Sequence, residues 1–217
     1  MTTTPTTAAG RTTAMATSRA PAGSLAALFG AAVLLLAGCG GPAGHAETPA
    51  TTSPAPAFAW FRAGPAPAGW NVAELPDGTA QLSTPPEAAP AESDPGSVTA
   101  ETRSPGGELV AYFNATPEQG DEALATWPDF RLDHLQDENG EPAARGASRT
   151  GMAFRGGMGS CVEDTYRSRD RTHEYREIAC FVEGKRGGSV LIVAAPVEGW
   201  DAARPTLEQA VDSYLAE

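Results

Sequence analysis

Three cysteines, an aspartate–histidine pair and a glycine-rich stretch ending in serine are the features of this 217-residue chain that could do chemistry. Cys39 closes the tetrapeptide Leu36-Ala37-Gly38-Cys39, which follows an apolar run from Leu25 to Leu36. That pattern is a lipobox. The thiol takes a diacylglycerol, the chain is cut before it, and the new amino terminus is open to acylation. Two or three acyl chains, at about 0.8 kcal/mol per buried methylene, hold a protein to a membrane. The alternative is an ordinary secretory signal with a chance cysteine. With Cys39 assigned to lipid, Cys161 and Cys180 remain. An even pair in an oxidising compartment reads as a disulfide; two free thiols or a metal site are the alternatives. Zinc asks for four ligands at suitable spacing, and none cluster here.

Asp133-His134 has the residue types of an acid–base pair. On a short helix, side chains meet at spacings of three and four, so these neighbours point to different sides. A surface or packed histidine is the plainer reading. His173 falls beside a hairpin turn and His45 in a linker, both expected in water. Gly156-Gly157-Met158-Gly159-Ser160 lacks the Lys-Ser/Thr of a phosphate loop, and Ser160 lacks the nucleophile elbow. A turn between strands accounts for it. Glu163-Asp164 reads as a solvated face rather than a calcium site, since the EF-hand spacing is missing. No catalytic residue, metal ligand or cofactor is assigned, and ligand-binding residues stay open.

The elements around these residues begin with an address. Arg11 and Arg19 are the charges that precede the apolar run, and no acid precedes Cys39. The run is too short for a spanning helix, which needs about 20 residues. It fits the core of a signal peptide covering residues 1–38. Met15 would open a leader of usual length, so a start at Met1 or at Met15 is left open. From Cys39 onward the chain keeps all 27 acidic and 13 of the 15 basic residues, a formal charge of −14. That sign argues against a phosphate-neutralising surface, and so against nucleic acid. It is also repelled by anionic lipid, so lipid on Cys39, not charge, is expected to hold the protein to the extracytoplasmic face of the cell membrane.

Residues 39–56 are Gly, Pro, Ala, Thr and Ser with little else, and read as a flexible linker. Residues 57–217 read as one α/β domain, large enough for a real core. The patterning predicts a helical turn or edge strand at 58–61 and a hairpin of strands at 70–75 and 80–83. A proline-rich loop follows over 85–96, the more plausible place for a cleft, then a short strand at 98–101 and a central strand at 109–113. Thr116 and Pro117 suit the start of a helix, with Asp121 and Glu122 favoured in its first turns. Pro128 must break or restart it, leaving a second short helix over 130–135. Strands are expected at 148–154, 161–167, 174–182 and 189–195. From Pro205, Leu207, Ala210, Val211, Tyr214 and Leu215 make one helical stripe that should lie across the sheet. The fold class is α+β, an antiparallel sheet of about 5–7 strands flanked by helices.

Cysteine pairing proposes a register. If Cys161 faces Cys180, then Tyr166 faces Tyr175, Arg167 faces Glu174 and Val162 faces Ala179. The aromatic and ion pairs each favour this by a few tenths of a kcal/mol. Asp164 then faces Glu177, two like charges. Solvent or an arginine such as Arg149 must screen them, or a bulge must shift the alignment.

Several stretches resemble, as a set, a family of actinobacterial exported lipoproteins of uncharacterised function. They are Ala111-Tyr112-Phe113-Asn114-Ala115-Thr116-Pro117, Gln119-Gly120-Asp121-Glu122, Trp127-Pro128-Asp129-Phe130-Arg131, Gly159-Ser160-Cys161-Val162 and Tyr175-Arg176-Glu177-Ile178-Ala179-Cys180. The single lysine, Lys185, amid abundant Ala, Pro, Gly and Arg suits a GC-rich genome of that kind. More distantly, strand order and terminal helix look like the PsbP-like α/β/α sandwich, a fold that mostly serves binding and assembly. The resemblance implies no catalytic residue. The expectation is a non-enzymatic binding or accessory module for an envelope protein or glycan. The alternatives are an envelope hydrolase or transferase with an unrecognised site, and a carrier of a small apolar ligand.

Overall fold

The computed structural model describes residues 56–217. The expected signal peptide, Cys39 and all but the last residue of the expected linker lie outside the described residues. Among the described residues no helix is long and apolar enough to cross a membrane.

Residues 58–61 form hydrogen-bonded turns, not a strand, with Phe61 N–H donating to the Phe58 carbonyl at 3.1 Å. β1 (Asn71–Glu74) and β2 (Ala80–Thr84) make the expected hairpin. In its turn the Asp77 carboxylate accepts from the Thr79 amide and hydroxyl at 3.0 and 2.8 Å. The proline-rich loop holds a two-residue strand, β3 (Ala89–Pro90), ahead of β4 (Val98–Arg103) and β5 (Leu109–Pro117). Then come α1 (Trp127–Asn139), β6 (Ala144–Ala153), β7 (Met158–Arg167), β8 (Glu174–Glu183) and β9 (Gly188–Pro196). α2 (Trp200–Ser213) and β10 (Leu215–Ala216) close the chain. The main sheet has seven antiparallel strands in the order β3-β4-β5-β9-β8-β7-β6; β1, β2 and β10 form a second sheet of three.

Strand alternation gives the main sheet two different faces. On one, Phe113, Cys161, Ile178, Cys180, Leu191 and Val193 are buried with Leu207, Ala210 and Val211 of α2 and with Leu82 of the small sheet. On the other, Val162, Ala179, Phe181 and Val190 cluster around Trp127 of α1. Helices thus lie on both faces, as the sandwich reading expects.

The helix boundaries differ from the sequence expectation. Thr116 and Pro117 stay in the ladder opposite Val190 and Ser189, so no helix can open there. Glu122 does not sit in a helix; its carboxylate accepts the amides of Gln119, Gly120 and Asp121 at 3.1, 2.9 and 3.1 Å. Of the two outcomes expected at Pro128, a break or a restart, the structure shows a helix start, with Pro128 in the first turn, where a missing N–H costs no intrahelical bond. Residues 130–135 therefore belong to a single 13-residue helix that ends at Gly140, φ 76°, the left-handed cap that suits glycine. α2 starts before Pro205 and stops at Ser213, and Leu215-Ala216 pair with Gln81 and Ala80. Tyr214 is buried at the helix end, its hydroxyl donating to Ser189 Oγ at 2.9 Å.

Cys161 and Cys180 are opposed in the β7–β8 ladder, their Cα atoms 4.1 Å apart, and are joined by a disulfide. The same register opposes Tyr166 to Tyr175, Arg167 to Glu174 and Val162 to Ala179, and it continues unbroken through Asp164 and Glu177. No bulge relieves those two acids, and Arg149 is not their counter-ion: it stands opposite Cys161 on β6.

Candidate functional site

A helix one element long cannot cover seven strands. α1 sits over β7 and β8, anchored by the Trp127 indole N–H, which donates to the Ala179 carbonyl at 3.0 Å. Among the described residues no helix covers the same face of β4 and β5, and β9 meets α1 only toward its Val190 end. One rung of the sheet crosses from the open to the covered half: Glu101, Tyr112, Ala194, Glu177, Asp164 and Arg145 are successive cross-strand partners. Ala194 offers a single methyl between two long side chains. Above it opens a cleft of about 710 Å³. Its walls include Tyr112, Tyr175, Phe130, His134, Glu177 and Arg131. Asp94, at the end of the proline-rich loop, and Asp121, from the segment before α1, stand on its rim and are exposed. The loop at 85–96 thus contributes an edge to the cleft rather than the cleft itself.

At the covered end of the rung the electrostatics are concentrated. Arg131 reaches down from α1 and clamps Glu177 with two bonds, Nε to Oε1 at 2.7 Å and Nη2 to Oε2 at 3.0 Å. Both side chains are buried, 7% and 0% exposed as residues. Burial works against the guanidinium charge, but the charge and hydrogen bonds of Glu177 outweigh it and raise the Arg131 pKa. Asp164 is 1% exposed, and neither of its oxygens meets a donor among the described residues. Its neighbour is Glu177, another acceptor, so a hydrogen bond between them requires a proton on one. Burial first, and the Glu177 charge second, push the Asp164 carboxyl up to about 9. The same two causes raise the Tyr166 phenol. Tyr166 and Tyr175, opposed on β7 and β8, lie with ring centroids 5.7 Å apart. Burial also raises Tyr112.

Glu163 projects from the opposite face. It pairs with Arg176, whose guanidinium lies 5.0 Å from the Trp200 ring centroid. The expectation that Glu163-Asp164 forms a solvated face is therefore wrong: the residues are 5% and 1% exposed. β7 is second from the sheet edge, and both of its faces are covered.

The remaining sequence candidates fall as follows. Asp133 and His134 are both exposed. His134 lines the cleft, lies 3.1 Å from Glu138 one turn on, and stacks on Phe130 with planes 9° apart. His173 is exposed beside the β7–β8 turn. Gly156 and Gly157 turn the chain while Met158–Ser160 are already strand; Ser160 Oγ is buried on the α1 side and meets no partner among the described residues. Among the described residues no group of three or more His, Cys, Asp or Glu is placed to hold a metal. Sequence reasoning opposed Asp164 to Glu177 but missed Arg131 as the clamp on Glu177 and Tyr112 as a member of the same rung. The available signal was a carboxylate inside an apolar strand, Glu177 between Tyr175 and Ile178, which cannot be buried without a cation.

No family model matches the sequence, and no curated protein does. Solved structures do. CyanoP, the cyanobacterial PsbP of Synechocystis sp. PCC 6803, is 9% identical over 68% of this chain and 92% of its own, with a TM-score of 0.50. The Ran-binding protein Mog1p of Saccharomyces cerevisiae is 13% identical over 68% and 95%, TM-score 0.47. LpqN of Mycobacterium tuberculosis, involved in cell envelope biogenesis, is 13% identical over 70% and 80%, TM-score 0.35. At such identities the likeness bears on fold alone: this chain has a PsbP-like α+β fold.

Proposed function

We propose that this chain is a non-enzymatic binding module, lipid-anchored through Cys39 to the extracytoplasmic face of a cell membrane, that holds an envelope protein or glycan in the cleft above Ala194. The cleft carries the reading. Its volume lies within the usual range for ligand sites, roughly 300–1,000 Å³, and its walls mix aromatic faces with polar groups. The lipobox at Leu36–Cys39 supports the anchor, and its leader and composition fit an actinobacterial exported lipoprotein. A hydrolase would need a free acid or base at the floor. Glu177 has both oxygens held by Arg131, and Asp164 lies beneath, 1% exposed. A carrier of apolar ligands would not be walled by Glu177, Arg131 and His134.

Site-specific crosslinking on intact cells tests this. A photoreactive residue at Tyr112, in the cleft, should capture a discrete species; one at Val72, 56% exposed on β1, should not. Equal capture at the two positions, or none at Tyr112, contradicts the reading.

A further inference from the structure

We infer that the cleft, on the binding-module reading above, selects a cationic segment of a partner polypeptide, one bearing lysine or arginine side chains. Charge complementarity argues it. The single cation buried at the floor, Arg131, is already matched by Glu177. The rim carries Asp94 and Asp121, both exposed, and Glu138 lines the wall. The aromatic walls suit the same ligand. Tyr112, Tyr175 and Phe130 offer ring faces that attract an ammonium or guanidinium through the ring quadrupole, and a guanidinium stacks there as well. A neutral glycan would use the tyrosines but leave the carboxylates unmatched. An acidic segment would be repelled by the rim and by a chain whose formal charge from Cys39 onward is −14.

The test must separate the cleft from general attraction to an acidic protein. The probe is a short Lys/Arg-rich peptide, titrated by calorimetry into the full exported protein in detergent at near-physiological salt. Two double variants remove equal charge: Asp94→Asn with Asp121→Asn on the rim, and Glu74→Gln with Glu87→Gln, exposed and outside the cleft. The rim pair should weaken binding by about tenfold, the scale of one charged contact, and the outer pair by less than about twofold, as expected of a screened surface charge. Equal weakening by both pairs, or no saturable binding of the peptide, overturns the inference. If a neutral oligosaccharide binds and the peptide does not, the cationic ligand is refuted while the binding-module reading stands.

Discussion

Asp164 and Glu177 face each other across β7 and β8 on the side that α1 covers, and Arg131 closes on Glu177 alone. One cation thus serves two buried carboxyls. Two adjacent like charges in a low-dielectric site cannot both be ionised cheaply. The structure resolves this by assignment: Glu177 takes the guanidinium with both oxygens, and Asp164 keeps its proton, its pKa pushed to about 9.

Stability should therefore fall as pH rises. The native state holds the Asp164 proton up to about 9, while an unfolded aspartate releases it near 3.8. Between those values the native state binds the extra proton, so this group's contribution is fully present below about pH 4 and lost as pH approaches 9. The slope it adds is at most about 1.4 kcal/mol per pH unit. Asp164→Asn, a neutral isostere, should melt higher than wild type at pH 8 and flatten the profile between pH 5 and 8 in calorimetric scans. An unchanged slope would show that Asp164 is ionised in the fold.

Arg131→Met should be among the most damaging single changes, because it strands the Glu177 charge at 0% exposure. Breaking a buried pair by removing one partner costs about 3–5 kcal/mol. The double variant Arg131→Met/Glu177→Met should recover much of that loss, since an apolar pair can replace a buried ion pair at little net cost. Denaturant unfolding of both variants measures it; a double variant no better than the single would mean that Glu177 is not the partner that matters.

The Cys161–Cys180 bridge spans 19 residues of sequence. A loop of about that length is worth roughly 3 kcal/mol in the chain-entropy account. Replacing both cysteines with alanine should lower the melting temperature without altering the ladder, because the flanking pairs Val162–Ala179 and Tyr166–Tyr175 still set the register. Thiol titration of the unfolded, unreduced domain should find neither cysteine free.

Anchoring at Cys39 predicts a partition. The Cys39→Ser protein should leave the membrane fraction and appear soluble in the periplasm or medium, whereas wild type should move into detergent with a mass increment of acyl chains. Wild-type protein recovered in the soluble fraction with no increment would remove lipid from the account.

The sheet was more legible in the sequence than the site. Cys161 and Cys180 gave a register that holds over the whole β7–β8 ladder, and the β1–β2 hairpin followed from alternation around Pro76-Asp77-Gly78. Local patterns of that kind need no knowledge of the rest of the fold. α1 was misplaced because Thr116-Pro117 has the chemistry of a helix start but lies in a strand held by β9, a long-range pairing that propensity does not contain. The site was hidden for the same reason. Arg131 and Glu177 are 46 residues apart, and Tyr112, Ala194 and Glu177 come from three strands. Asp164 was half seen: its confrontation with Glu177 was deduced, but the counter-ion came from a helix whose position the sequence did not fix, not from the neighbouring strand.

The cleft above Ala194 is the centre of the account, and filling it is the most direct test. Ala194→Phe places a ring between Tyr112 and Glu177, into the space a ligand would use. With the photoreactive residue kept at Tyr112, crosslinked product on intact cells should drop to the level seen at Val72, while circular dichroism and melting show the fold retained. Undiminished capture in a folded Ala194→Phe protein would contradict binding in this cleft.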